Sequence, residues 1–188
     1  MAKVKVLVEG YTSKGTGGRS CSTVVLVKDG GLAIVADPGT SESQDAIRDA
    51  LADEGLSPEE IGIVFVTHAH MDHYRNAGMF PNAKALDYWG WWEGDVWSKC
   101  GGKVTDDVTV IKTPGHSYDG VTLLVKTAEG TVAICGDVFW KEGFPQKDKY
   151  ATDENALAES RKKVLQSADF VIPGHGKMFG TRRAGKML

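Results

Sequence analysis

Apolar residues fall along this chain in short runs rather than in one long period, and the runs come in two kinds. Residues 3–9, 22–28 and 31–36 are rich in Val and Ile and are broken by turn residues, notably Asp29-Gly30-Gly31, a pattern that predicts strands with a hairpin. Residues 43–54 change period: Ala46, Ile47, Ala50 and Leu51 recur at spacings of three and four, which predicts a helix ended by Gly55. Ser57-Pro58-Glu59-Glu60 offers a capping box with proline at the first helical position, and so a second, short helix. Residues 61–66 are almost entirely apolar, as a strand buried on both faces requires. Further strands are predicted at 108–112, 121–126, 131–135 and 170–172. Residues 153–167 return to helical spacing through Ala156, Leu157, Val164 and Leu165. Strands and helices alternate in both halves with no low-complexity linker or repeat, so the expectation is an α/β fold in one domain spanning residues 1–188.

Composition narrows the function classes. The chain has 188 residues, 41% apolar and 25% charged, with 23 glycines for tight turns. A net charge of −3 gives no overall positive field for a nucleic-acid backbone. Cys21, Cys100 and Cys135 are too far apart for a metal knuckle or a disulfide framework and read as free thiols. Residues 1–10 alternate Lys and Val and resemble neither a signal peptide nor a membrane span, so no membrane partner and a cytoplasmic location are expected.

The chemistry gathers where strands are predicted to end. Thr67-His68-Ala69-His70-Met71-Asp72-His73 places four potential ligands within six residues directly after a buried strand. Residues two apart in extended chain share a side, so His68 and His70 can grip one ion while the turn beyond aims Asp72 and His73 at a neighbouring point. His116 and His175 each follow Pro-Gly at a further strand end, and Gly136-Asp137 ends another with a carboxylate able to bridge two cations. Imidazole and carboxylate without thiolate suit two divalent ions, zinc foremost, with iron or manganese as alternatives.

In this order the His-x-His-x-Asp-His motif, Pro-Gly-His116, Gly-Asp137 and Pro-Gly-His175 resemble the metallo-β-lactamase superfamily over nearly the whole chain. The resemblance implies a four-layer αββα sandwich and a binuclear hydrolase in which a hydroxide held between two metals attacks an ester-type bond. It implies His68, His70 and His116 on the first metal, Asp72, His73 and His175 on the second, and Asp137 between them. Asp72 would also move a proton in catalysis. Asp37, in Ala36-Asp37-Pro38-Gly39, resembles a carboxylate that orients the ligand loop from behind. Within the superfamily, residues 8–11, 136–139, 159–165 and 168–176 resemble metallo-β-lactamase domain-containing protein 1 and its small prokaryotic relatives.

The substrate stays open at this point. Asp137 stands where one major class of β-lactamases has cysteine, which argues against antibiotic hydrolysis. A lactone or thioester, as a small molecule, or the phosphodiester of an RNA remain, and a mononuclear iron oxidoreductase of the persulfide dioxygenase type is the alternative. Residues 87–97 hold four of the five tryptophans and are read as a lid over the substrate, a cluster packed on the sheet, or a homodimer contact. Trp91 and Trp92, with Tyr118, are the expected substrate contacts. A short basic segment at 181–186 is read as a frayed tail.

Overall fold

In a computed structural model the chain is described over residues 1–13 and 18–181; the basic segment lies almost wholly outside these. The first half builds a seven-stranded sheet. Its strands are β1 (Lys3–Val8), β4 (Val24–Asp29), β5 (Leu32–Ala36), β6 (Ile63–Phe65), β7 (Lys84–Leu86), β8 (Trp91–Glu93) and β9 (Val96–Ser98), adjacent in that order. A small hairpin of β2 (Tyr11–Thr12) and β3 (Ser20–Cys21) stands apart from it. The second half builds a five-stranded sheet of β10 (Val108–Lys112), β11 (Val121–Thr127), β12 (Gly130–Ile134), β13 (Phe170–Ile172) and β14 (Phe179–Gly180). Among the described residues the α-helices are α1 (Asp45–Asp53), the single turn α2 (Met71–Tyr74) and α3 (Glu154–Ser167).

Three apolar clusters define the layers. Val25, Val27, Ile34 and Phe65 of the first sheet meet Val121, Leu123, Val132 and Ile134 of the second in a shared core. Val24, Leu26 and Val35 point the other way, onto Ile47 and Leu51 of α1. Ala133 and Val171 point onto Leu157 and Val164 of α3. The order of layers is therefore α, β, β, α, the metallo-β-lactamase fold. Strands β4, β5 and β6 are buried on both faces, which explains why they read as continuous apolar runs rather than alternating ones. Full burial of Ile47 and Leu51 stabilises the α1 contact by about 2 kcal/mol each.

The ends of the helices follow the local signals. Gly55 takes φ +72°, its N–H donates to Ala52 and that of Leu56 to Leu51, a Schellman closure of α1. Pro58–Glu60 forms one 3₁₀ turn, with the Glu60 carboxylate accepting from Ser57 N at 2.8 Å. Asp153 caps α3 by accepting from the N–H groups of Asn155 and Ala156. No helix among the described residues is long and apolar enough to cross a membrane.

Part of the tryptophan-rich segment is strand: residues 91–98 form the β8–β9 hairpin, and β9 is the outer edge of the first sheet. Paired strands of three residues are too short to show a period, so the run read only as glycine-punctuated aromatics.

Candidate metal centre

Four strand ends meet at one rim, as ligands do in open α/β architectures. β5 delivers Asp37, β6 delivers Thr67 and the histidine motif, β12 delivers Asp137 through a 3₁₀ turn at Gly136–Val138, and β13 delivers His175. His116 arrives on the link between β10 and β11. His73 sits on the one-turn helix α2, whose N–H is held by the His70 carbonyl at 2.9 Å.

The structure brings together all seven residues of the sequence motif. Their donor atoms form three overlapping groups, each within 4.8 Å: His68, His70 and His116; His68, His73 and Asp137; Asp72, His73 and His175. In the first group His70 Nδ1 lies 2.9 Å from His68 Nε2 and 3.0 Å from His116 Nε2. Asp137 spans the two sides. Its Oδ2 is 3.4 Å from His116 Nε2, while Oδ1 is 3.3 Å from His73 Nε2 and 3.2 Å from His175 Nε2.

A cation fits this donor set. Three imidazole nitrogens converge on one another in the first group, where lone pairs repel unless something positive lies between them. His73 Nε2 and Asp137 Oδ1 are buried without a hydrogen-bond partner, a costly arrangement that a divalent ion removes. Cys135 takes no part: its Sγ donates to the Ile172 and Gly136 carbonyls, and burial pushes its thiol pKa up, so it stays neutral.

Each buried ring is steered from behind through its other nitrogen. His73 Nδ1 meets Asp37 Oδ2 at 2.8 Å, and Asp37 also accepts from Thr67 N at 2.8 Å and Thr67 Oγ1 at 2.7 Å. Asp37 holds φ +47°, the one described non-glycine residue in that region, which an Asp tolerates better than most. His175 Nδ1 meets the Cys21 carbonyl at 2.9 Å, and His68 Nδ1 meets Thr67 Oγ1 at 3.1 Å. His116 Nδ1 meets Asp148 Oδ2 at 2.7 Å, and Asp148 Oδ1 accepts from Tyr150 N at 3.0 Å. The sequence reading missed Asp148; it lies in Lys147-Asp148-Lys149, which carries no signal beyond charge. Gly174 passes so close that a Cβ there would overlap Asp137 Oδ1 and displace the shared carboxylate.

The two sides differ electrostatically. Burial, reinforced by neighbouring histidines, holds His68 well below the usual histidine range, and burial also lowers His70. Burial alone would lower His73 and His175 too, but Asp37 and Asp137 raise His73 well above its usual value, and Asp137 raises His175. The same two histidines hold Asp137 well below the carboxylate range against the opposing effect of burial. Protons therefore compete with metal at His73 and His175 from a higher pH than at His68 and His70. With an ion in each group, metal content measured after equilibration is expected to drop in two steps as pH falls, the second group emptying first; His175→Ala should then lack the higher-pH step. Loss in the opposite order would contradict this assignment.

The groups open into a cleft of about 510 Å³ lined by Arg19, Ser20, His70, Asp72, Trp140 and Tyr150 among others. Trp140 and Tyr150 stack at 5.7 Å and 13°, with Trp140 centred 6.2 Å from His116 and 6.1 Å from His175. The expected contacts Trp91, Trp92 and Tyr118 are absent from this lining. Trp91 turns into the intersheet core, Trp92 stands on the outer face of the sheet edge, and Tyr118 is 63% exposed outside the cleft. Trp140 carries no signal in the sequence, since a lone tryptophan after a Gly-Asp motif has no distinctive pattern.

Motif blocks that need no metal now have physical roles. Arg161 of α3, buried, donates to the carbonyls of Val138, Pro145 and Gln146 and so clamps the loop that carries Trp140. Ser160 Oγ donates to Pro114 O at 2.6 Å, beside His116. Gly10 packs against Thr23 N and Gly174 O with no room for a Cβ.

Comparison with known proteins agrees with this geometry. A sequence profile described as the metallo-beta-lactamase superfamily matches residues 16–97. Metallo-beta-lactamase domain-containing protein 1 of Xenopus laevis is 32% identical over 98% of this chain and 84% of its own length. The human protein of that name is 34% identical over 80% of this chain, which spans 60% of that relative. Among solved structures, the dizinc quorum-quenching lactonase AidC superimposes with a TM-score of 0.64 at 16% identity, over 84% of this chain and 73% of that one, a likeness of fold. With its motif order, its layered fold and a relative aligned along nearly its whole length, this chain belongs to the metallo-β-lactamase superfamily.

Proposed function

We propose that this chain, a metal-dependent hydrolase of the superfamily, holds two divalent ions, zinc foremost, and cleaves an ester-type bond in a small molecule. His68, His70 and His116 would take one ion, Asp72, His73 and His175 the other, with Asp137 shared. The observation that carries this reading is the Asp137 carboxylate, which turns one oxygen to each group and leaves Oδ1 without a hydrogen-bond partner. Two such ions supply a water of lowered pKa and a Lewis acid for the carbonyl or phosphoryl oxygen.

The protein's own groups do the rest. Asp72 lies on the cleft wall, its Oδ2 3.7 Å from His175 Nε2 and accepting from Ser20 Oγ at 2.5 Å. It is placed to receive the proton of the attacking water and return it to the leaving atom. The Trp140–Tyr150 stack forms a flat wall for the substrate and excludes water from one side.

A lactone or thioester suits the cleft better than RNA. Among the described residues Arg19 is the one cation of its lining and is already paired with Glu42, which leaves little positive charge for a phosphodiester backbone. The complete second group favours hydrolysis over mononuclear iron oxidation. AidC, whose product-bound structure shares the fold, is a lactonase, which makes a lactone the first compound to try.

The deciding experiment joins elemental analysis with hydrolysis of a lactone, a thioester and bis(p-nitrophenyl) phosphate, each with and without chelator. About two equivalents of metal and chelator-sensitive cleavage of the lactone or thioester are expected. Near one equivalent of iron without hydrolysis overturns the reading, and cleavage of the phosphodiester alone overturns the substrate class. Trp140→Ala is expected to raise KM about tenfold at unchanged metal content, because it removes the wall and no ligand.

A further inference from the structure

The β8–β9 hairpin carries much of the exposed apolar surface. Trp89, Trp92, Val96 and Trp97 are 54%, 39%, 63% and 50% exposed, a density rare on a face that meets only water. Trp92 and Trp97 are directly paired across the two strands, so their indoles share one side, opposite to Trp91, which enters the core. Beyond β9 the first sheet ends, and among the described residues no backbone group bonds to that edge. Val96–Ser98 has no proline, no charge and no bulge to protect it.

Which backbone groups are free follows from the turn. Glu93 and Val96 flank the two-residue turn Gly94-Asp95, with Gly94 at φ +60°. They therefore form a hydrogen-bonded pair, Trp92 and Trp97 form the non-hydrogen-bonded pair that follows, and the N–H and C=O of Trp97 point out of the open edge.

We infer that this edge joins a second copy of the chain, β9 against β9 antiparallel about a two-fold axis at Trp97. The two Trp97 residues exchange both backbone hydrogen bonds. Residues then pair so that Asp95 of one copy stands opposite Lys99 of the other, and the reverse pair forms on the far side of the axis. Both side chains are exposed, and among the described residues neither has an ion-pair partner within its own chain. Asp95 closes the turn before β9 and Lys99 follows it, so with the pairing continued one residue beyond each end of β9 two opposite-charge pairs would flank a ladder of four indoles, Trp92 and Trp97 from each copy. Charge complementarity with itself is what selects a second copy over an unrelated partner: residues 95–99 read acidic, aromatic, basic, and their own reverse is their complement.

Light scattering and sedimentation on the full chain test this. The wild type is expected to approach twice the 20.2 kDa monomer mass as concentration rises. Asp95→Lys and Lys99→Asp should each stay monomeric, because each puts like charges opposite one another. An equimolar mixture of the two variants should regain the double mass, since each copy then offers what the other lacks, and that recovery would show that neither variant is merely misfolded. A wild type monomeric at every concentration, single variants as dimeric as the wild type, or a mixture that stays monomeric would each overturn the interface.

Discussion

Asp137→Ala is expected to abolish hydrolysis, by about a thousandfold or more, and to leave the purified protein deficient in metal. The carboxylate is the one group whose oxygens face both sides of the centre, at 3.4 Å from His116 Nε2 and 3.3 and 3.2 Å from His73 and His175 Nε2. A lost charge contact of several kcal/mol at the reacting centre corresponds to that factor. Asp137→Asn separates shape from charge: it fills the same space, yet it lacks the negative charge that now raises His73 and His175. It should bind metal weakly and retain the fold. Paired measurements of kcat and metal stoichiometry check both variants; full activity with a normal metal complement in Asp137→Ala would refute the shared-ligand assignment.

Asp37→Ala is expected to be costly in a different way. Asp37 is almost wholly buried and accepts three hydrogen bonds, from Thr67 N, Thr67 Oγ1 and His73 Nδ1. Removing it strands a buried imidazole and a backbone N–H, which should cost about 3–5 kcal/mol of stability in denaturant unfolding of the metal-free protein. Metal affinity should fall about 10–100-fold, because His73 loses the partner that fixes its ring. The backbone conformation is a separate matter. At φ +47° alanine is strained and asparagine is not, so Asp37→Asn should recover part of the stability while its amide, unable to accept on both atoms, leaves affinity reduced. Equal affinity in Asp37→Asn and wild type, by competition with a chelator, would show that the carboxylate only holds the turn.

The Trp140–Tyr150 pair is linked to His116 in two ways. Asp148 accepts from His116 Nδ1 and from the backbone N–H of Tyr150, whose ring stacks on Trp140, and Trp140 itself meets the His116 ring edge-on with centres 6.2 Å apart.

Much of the scaffold was legible before the structure. Strands β4, β5, β6 and β11–β13 are fully or largely buried, so most of their positions are apolar and the runs stand out. Helix α1 was legible because only one stripe, at Ile47 and Leu51, meets the core, and Gly55 closes it. The candidate ligands were legible for a chemical reason. A metal demands His and Asp at strand ends, a residue choice that packing does not otherwise impose, so His68, His70, His116, Asp137 and His175 stand out in the chain.

Asp37 apart, what supports those residues was not legible. Asp148 orients His116 across 32 residues, the Cys21 carbonyl orients His175 across 154, and Trp140 with Tyr150 rather than Trp91 and Trp92 walls the cleft. Such partners are chosen by where loops pass in space, and one carboxylate, carbonyl or ring in sequence looks like any other. The short strands β8 and β9 escaped for the same reason, since three residues show no period and only the neighbouring strand makes them a sheet. Local chemistry and burial are written residue by residue along the chain, whereas orientation is a relation between distant segments and exists only once the chain has closed on itself.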